Sequence, residues 1–148
     1  MVFIAGWYDD SMNLNLLTST SLIIVTHLIF ALLAIVIGAL QLLLIKGSAR
    51  HKILGYIWTI AMAIICLSSF GIKTVMPDGI FGGFSPIHLL SIWVLFQLAR
   101  SIHFARNHEI ARHRKTMVYT YFGGLIIAGA FTLMPGRLLY KVLITPWF

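Results

Sequence analysis

Thirty consecutive residues, Leu16 to Ile45, pass without a single Asp, Glu, Lys or Arg. About 20 apolar helical residues cross the hydrocarbon core of a bilayer, so this one stretch is longer than a crossing requires. Its first turns are expected to lie in the interface, or the helix to tilt. Inside lipid every backbone N–H and C=O must be satisfied within the protein, which a helix does on its own. Three more apolar stretches follow, at about 53–72, 86–104 and 117–134. The expected fold is therefore all-α: an integral membrane four-helix bundle, a single transmembrane domain over residues 1–148 with no soluble domain left over. Ser85 is expected to cap the third span, with Pro86 at its first helical position. The opening "MVFIAGWYDD" lacks a basic n-region and does not read as a cleaved signal peptide, while Trp7 and Tyr8 look like interface anchors.

Composition narrows the function. Hydrophobic residues make up 59% of the chain, charged residues only 10%, and the mean hydropathy is +0.94. The net charge of +7 raises the question of nucleic acid, but the basic residues fall between spans and leave no soluble basic face to lie on DNA. No nucleic-acid partner is expected. The single Cys66 excludes an internal disulfide, a CxxC metal knuckle and a CxxCH haem attachment, and reads as core packing. Four carboxylates in all leave little for hydrolytic work, and no grouping of acid, base and nucleophile appears.

The loops orient the chain. Lys46, Arg50, Lys52, Arg106, Arg112, Arg114 and Lys115 lie between spans 1 and 2 or 3 and 4, with Arg100 near the end of span 3. The other side holds Lys73, Arg137 and Lys141 with Asp9, Asp10 and Asp78. The positive-inside rule puts both basic hairpin loops in the cytoplasm and both termini outside, in what would be a bacterial inner membrane.

The histidines suggest a repeat. His51 and His113 are 62 positions apart, His27 and His88 are 61 apart, and "HLI" at 27 answers "HLL" at 88. Two similar transmembrane hairpins in the same orientation would form a parallel repeat. His27 and His88 then belong to the outer half, while His51 and His113 precede their spans at the inner face. Two imidazoles at one depth, on different helices, are what bis-histidine ligation of haem b requires. Intramembrane histidines are costly, which favours a functional role for His27 and His88. His51 and His113 sit among basic residues, where binding to lipid headgroups would also account for them. His103 and His108, at or beyond the end of span 3, are expected to be solvated.

Small residues flank these histidines at helical spacing. They are Ala31, Ala34, Gly38 and Gln41 after His27, Gly55, Thr59 and Met62 after His51, and Thr116, Thr120 and Gly124 after His113. On span 3 the pattern is less regular, with Ser91 and then Leu95. Such stripes leave room for a porphyrin edge, and they equally serve close helix packing without any cofactor.

His27 with Gly38 and Gln41, "KGSARHKILGYIW", "SPIHLLSIWVL" and "RHRKTM" together resemble the bacterial membrane family catalogued as domain of unknown function 2306. The resemblance covers roughly residues 20–137. Lys115 and Thr116 depart from the family's common HRRWM form of the last motif and leave His113 in place. More distantly, the histidine pattern is similar to the two-haem membrane b-type cytochromes, which move electrons between the two faces; that comparison is one of fold.

The expected function is thus a haem b-binding membrane cytochrome with one or two haems. His27 and His88 would ligate the outer iron, and His51 and His113 the inner one. Arg50, Lys52, Arg112 and Arg114 would face inner propionates, and Arg137 outer ones. Two other classes fit the same residues: an accessory subunit of a larger respiratory or photosynthetic membrane complex, and a quinone- or metal-binding protein using the outer histidines with Gln41 or Gln97. A quinone or a redox protein would be the partner of the electron carrier.

Overall fold

A computed structural model describes residues 21–72, 86–133, 135 and 140, and the described residues form helices and connecting turns without a strand. The elements are α1 (Leu22–Leu43), α2 (Ala49–Ser69), α3 (Pro86–Arg106), α4 (Ile110–Tyr119), a π-helical segment (Thr120–Ile127) and α5 (Ala128–Phe131). Three of them are long and apolar enough to cross a membrane: Leu22–Leu43, Ala49–Ser69 and, within α3, Ile87–Arg106. The backbone between α4 and α5 stays in the right-handed helical region at every junction, so residues 110–131 form a fourth continuous helical run.

Two boundaries differ from the hydropathy reading. The second helix begins at Ala49 rather than near 53, and the fourth run begins at Ile110 rather than near 117, so His51 and His113 lie inside first turns and not before them. Hydropathy registers apolarity, whereas Arg, Lys and Glu are good helix formers that extend a helix into the interface. Pro86 is the first residue of α3 as expected; Ser85, Trp7, Tyr8, Arg137 and Lys141 lie outside the described residues.

The turn between α1 and α2 is built from "KGS". Lys46 Nζ donates to the carbonyls of Gln41 at 2.6 Å and Leu42 at 2.8 Å, satisfying the acceptors that a helix C-terminus leaves open. Gly47 then takes φ +80°, a conformation that favours glycine. Ser48 caps α2, its Oγ accepting from the His51 N–H at 3.1 Å. Between α3 and α4 the reversal passes through His108 at φ 58°, with the Glu109 N–H closing onto the Phe104 carbonyl at 2.9 Å. We refer to the end carrying these two turns as the hairpin end and to the other as the open end.

Lipid is as apolar as leucine, so helices in a membrane gain little from hiding apolar surface from one another. Close backbone approach and interhelical hydrogen bonds take over, and here they meet at α1. Trp58 Nε1 donates to the Ala34 carbonyl at 2.9 Å, and Tyr121 Oη to the Ile35 carbonyl at 3.2 Å. Both rings lie over Gly38, where an added Cβ would collide with the Tyr121 ring and come within 2.8 Å of Trp58 Nε1. Gly124 plays the same part for α3, since a Cβ there would approach Val94 Cγ2 to 2.6 Å. The buried core joins these residues to Ile37, Ala61, Met62, Cys66, Leu98 and Leu125. Large apolar side chains such as Ile29, Leu32, Val36, Ile60, Phe96 and Phe122 are exposed on the outside, a distribution suited to hydrocarbon and not to water.

Candidate functional site

The stripe on α1 that leaves room for a porphyrin edge in sequence is filled in the structure. Trp58 occupies the space beside Ala34, and Trp58 and Tyr121 that beside Gly38. Thr120 is likewise fully buried, and Gly124 packs against Val94 of α3. A packed layer of Trp58, Met62 and Tyr121 therefore separates the two ends of the assembly, and the histidines lie beyond it on either side.

At the open end His27 contacts the last turn of α2 and His88 the residue that caps it, Phe70. His27 Nδ1 is 2.8 Å from Ser68 Oγ, and Ser68 Oγ itself donates to the Ile65 carbonyl at 3.0 Å. When the hydroxyl hydrogen goes to that carbonyl the serine oxygen accepts from His27, and in that tautomer Nδ1 carries the proton and Nε2 keeps a lone pair. His88, 3% exposed, stacks against Phe70 with ring centroids 5.6 Å apart. Nearby, Ser69 and Ser91, both buried, join α2 to α3 through an Oγ–Oγ contact of 2.7 Å.

At the hairpin end His51 and His113 lie close enough to interact electrostatically. His113 Nδ1 is 3.0 Å from the Ser101 carbonyl and 2.9 Å from Ser101 Oγ. A carbonyl only accepts, so Nδ1 again holds the proton and Nε2 the lone pair. His51 differs: its Nδ1 is buried without a hydrogen-bond partner, and so is Oε1 of Gln41, whose Nε2 donates to the His51 carbonyl at 2.8 Å. Each such orphan costs about 1–3 kcal/mol unless a bound molecule satisfies it.

The remaining candidates are dispersed. Arg50, Lys52, Arg112 and Arg114 are exposed at the hairpin end, Arg112 paired with Glu109 at 2.6 Å, and Arg137 lies outside the described residues. His103 and His108 are exposed, though His103 Nε2 meets Asn107 Nδ2 at 2.8 Å. Gln41 and Gln97 do not join the outer histidines: Gln41 holds His51, and Gln97 Oε1 accepts from Arg100 at 3.2 Å. Sequence reasoning did not single out Ser68 or Ser101. Their signal is a hydroxyl in an otherwise apolar span, one helical turn or less from where a histidine of another helix arrives. Among the described residues no cluster of three or more His, Cys, Asp or Glu side chains is arranged to hold a bare metal ion.

The family model described as predicted membrane protein DUF2306 matches residues 24–146. The match spans most of the chain, and the protein belongs to that family. No curated protein and no solved structure matches it.

Proposed function

We propose that this DUF2306 protein is a haem b-binding electron carrier: a bundle of four spanning helices, made from two similar hairpins, with one or two haems. His27 and His88 would hold the group at the open end, and His51 and His113 at the hairpin end. What supports the reading is the state of two rings. His27 and His113 each hold Nδ1 against an oxygen on a neighbouring helix, and in the tautomer with Nδ1 protonated this leaves Nε2 as a lone-pair donor, the orientation that outer hydrogen bonds give to iron-ligating imidazoles. Bound haem would supply a one-electron iron couple. Ser68 and Ser101 set the rotation and basicity of the two rings. Trp58, Met62 and Tyr121 exclude water from the middle of the bundle and confine the ligand sets to its two ends. The exposed guanidinium groups of Arg50 and Arg114 offer positive charge to propionates at the hairpin end, as Arg137 would at the other, while Glu109 already pairs with Arg112.

Protein purified in detergent from haem-replete cells is expected to show a Soret band that shifts on reduction, with at most two haems on extraction. A colourless preparation without extractable haem would sink the reading. The lysine and arginine excess of the two turns further implies that both face the cytoplasm, in a bacterial inner membrane. Reporter fusions after Phe148 should then read as external, and an internal signal would exchange the inner and outer sites.

One observation favours a second reading. Gln41 Oε1 and His51 Nδ1, both orphaned and buried, are suited to a hydroxylic headgroup such as that of a quinol. A haem-free protein that copurifies with quinone, and loses it on Gln41→Leu, would select that reading.

A further inference from the structure

A groove of about 320 Å³ runs between α3 and α4 at the hairpin end, lined by Gln97, Arg100 and Phe104 from one helix and Arg112, Lys115 and Tyr119 from the other. Aromatic rings flank its cations. The Arg100 guanidinium lies 5.6 Å from the centroid of Phe96 and 5.4 Å from that of Phe104, Arg112 lies 5.8 Å from Phe104, and Lys115 Nζ 5.9 Å from Tyr119. Countercharge is scarce. Glu109 neutralises Arg112, and among the described residues neither Arg100 nor Lys115 meets a carboxylate. The groove also holds an idle donor: Gln97 is 9% exposed, its Oε1 accepts from Arg100, and its Nε2 has no partner among the described residues.

Two cations that meet no carboxylate and an amide N–H beside them call for an anion with several acceptor oxygens. The position of the groove indicates where that anion resides. Arg100 precedes the last residue of α3, Arg106, by six positions, about 9 Å along the axis of a helix apolar enough to span the membrane. A small anion stays in water, whereas the phosphodiester of a lipid lies at this depth, and Phe96 and Ile92, 59% and 55% exposed, continue the same helix as an apolar surface for acyl chains.

We propose that the groove between α3 and α4 is a binding site for an anionic phospholipid, with Arg100 and Lys115 on its phosphate and Gln97 Nε2 donating to a phosphate oxygen. The site is independent of any haem. It is tested on the full chain reconstituted with phosphatidylcholine and phosphatidylglycerol, washed in neutral detergent, with retained lipid counted by native mass spectrometry. Wild type should keep phosphatidylglycerol after phosphatidylcholine is gone. Arg100→Gln and Lys115→Gln should each weaken that retention about fivefold, the effect of one cation near a membrane surface. Arg50→Gln and Lys52→Gln, on the other hairpin, should leave it unchanged, and Lys115→Gln keeps the test valid if Arg100→Gln does not fold. Equal loss of both lipids from wild type, equal effects from the two hairpins, or displacement of the lipid by millimolar inorganic phosphate would overturn the proposal, the last outcome indicating a plain anion site.

Discussion

Gly38→Ala is expected to destabilise the protein by about 3 kcal/mol, although the same change in a helix ordinarily gains up to about 1 kcal/mol in propensity. The added methyl would collide with the Tyr121 ring and press on Trp58 Nε1. Overpacking of that kind costs about 1–3 kcal/mol, and moving either ring also strains a hydrogen bond to α1, at Ala34 or Ile35, worth about 0.6–2 kcal/mol in a membrane. Gly129 is the matched control, since a Cβ there meets nothing within 4 Å, and Gly129→Ala should be neutral or slightly stabilising. Unfolding in mixed micelles, followed by tryptophan fluorescence, measures both. Similar shifts for the two variants would mean that α1 does not approach the rings as closely as described.

The largest spectral effects are expected from the histidines. If His27 and His88 hold one haem, His27→Ala and His88→Ala should each abolish the same component, and the double variant should lose little more, because a site missing either axial imidazole is already incomplete. His51→Ala and His113→Ala should spare that component and remove the other. Ser68→Ala and Ser101→Ala are milder probes, leaving the ligand and removing a hydroxyl in contact with its Nδ1, while at position 101 the backbone carbonyl remains, so they should shift a midpoint potential rather than empty a site. Loss of different components from His27→Ala and His88→Ala, or of none, would break the pairing by depth.

The three long apolar helices and their approximate positions were legible because runs of apolar residues are long here and charges are few. The starts of the second and fourth runs were less legible, since Ala49–Lys52 and Ile110–Thr116 are helical for reasons of capping and propensity to which hydropathy is blind. The small stripe on α1 was visible, but its occupant was not. Ala34 and Gly38 suit a porphyrin edge or an indole equally, and the deciding residues, Trp58 and Tyr121, belong to other helices. The repeat also misled at close range. An offset of 62 positions sets Ala39 against Ser101, so the hydroxyl at His113 Nδ1 has no counterpart for His51, whose ring nitrogen is left without a partner. Similar histidine spacing goes with dissimilar surroundings.

The π-helical segment Thr120–Ile127 bears on how the chain would align with relatives. A π turn is the form in which a helix accommodates one added residue without breaking, and each added residue rotates the side chains beyond it by about 100°. Thr120, Tyr121 and Leu125 are buried along this stretch. A relative one residue shorter would therefore align with a gap inside its last helical run rather than in a loop, and the aromatic equivalent to Tyr121 would point to another neighbour.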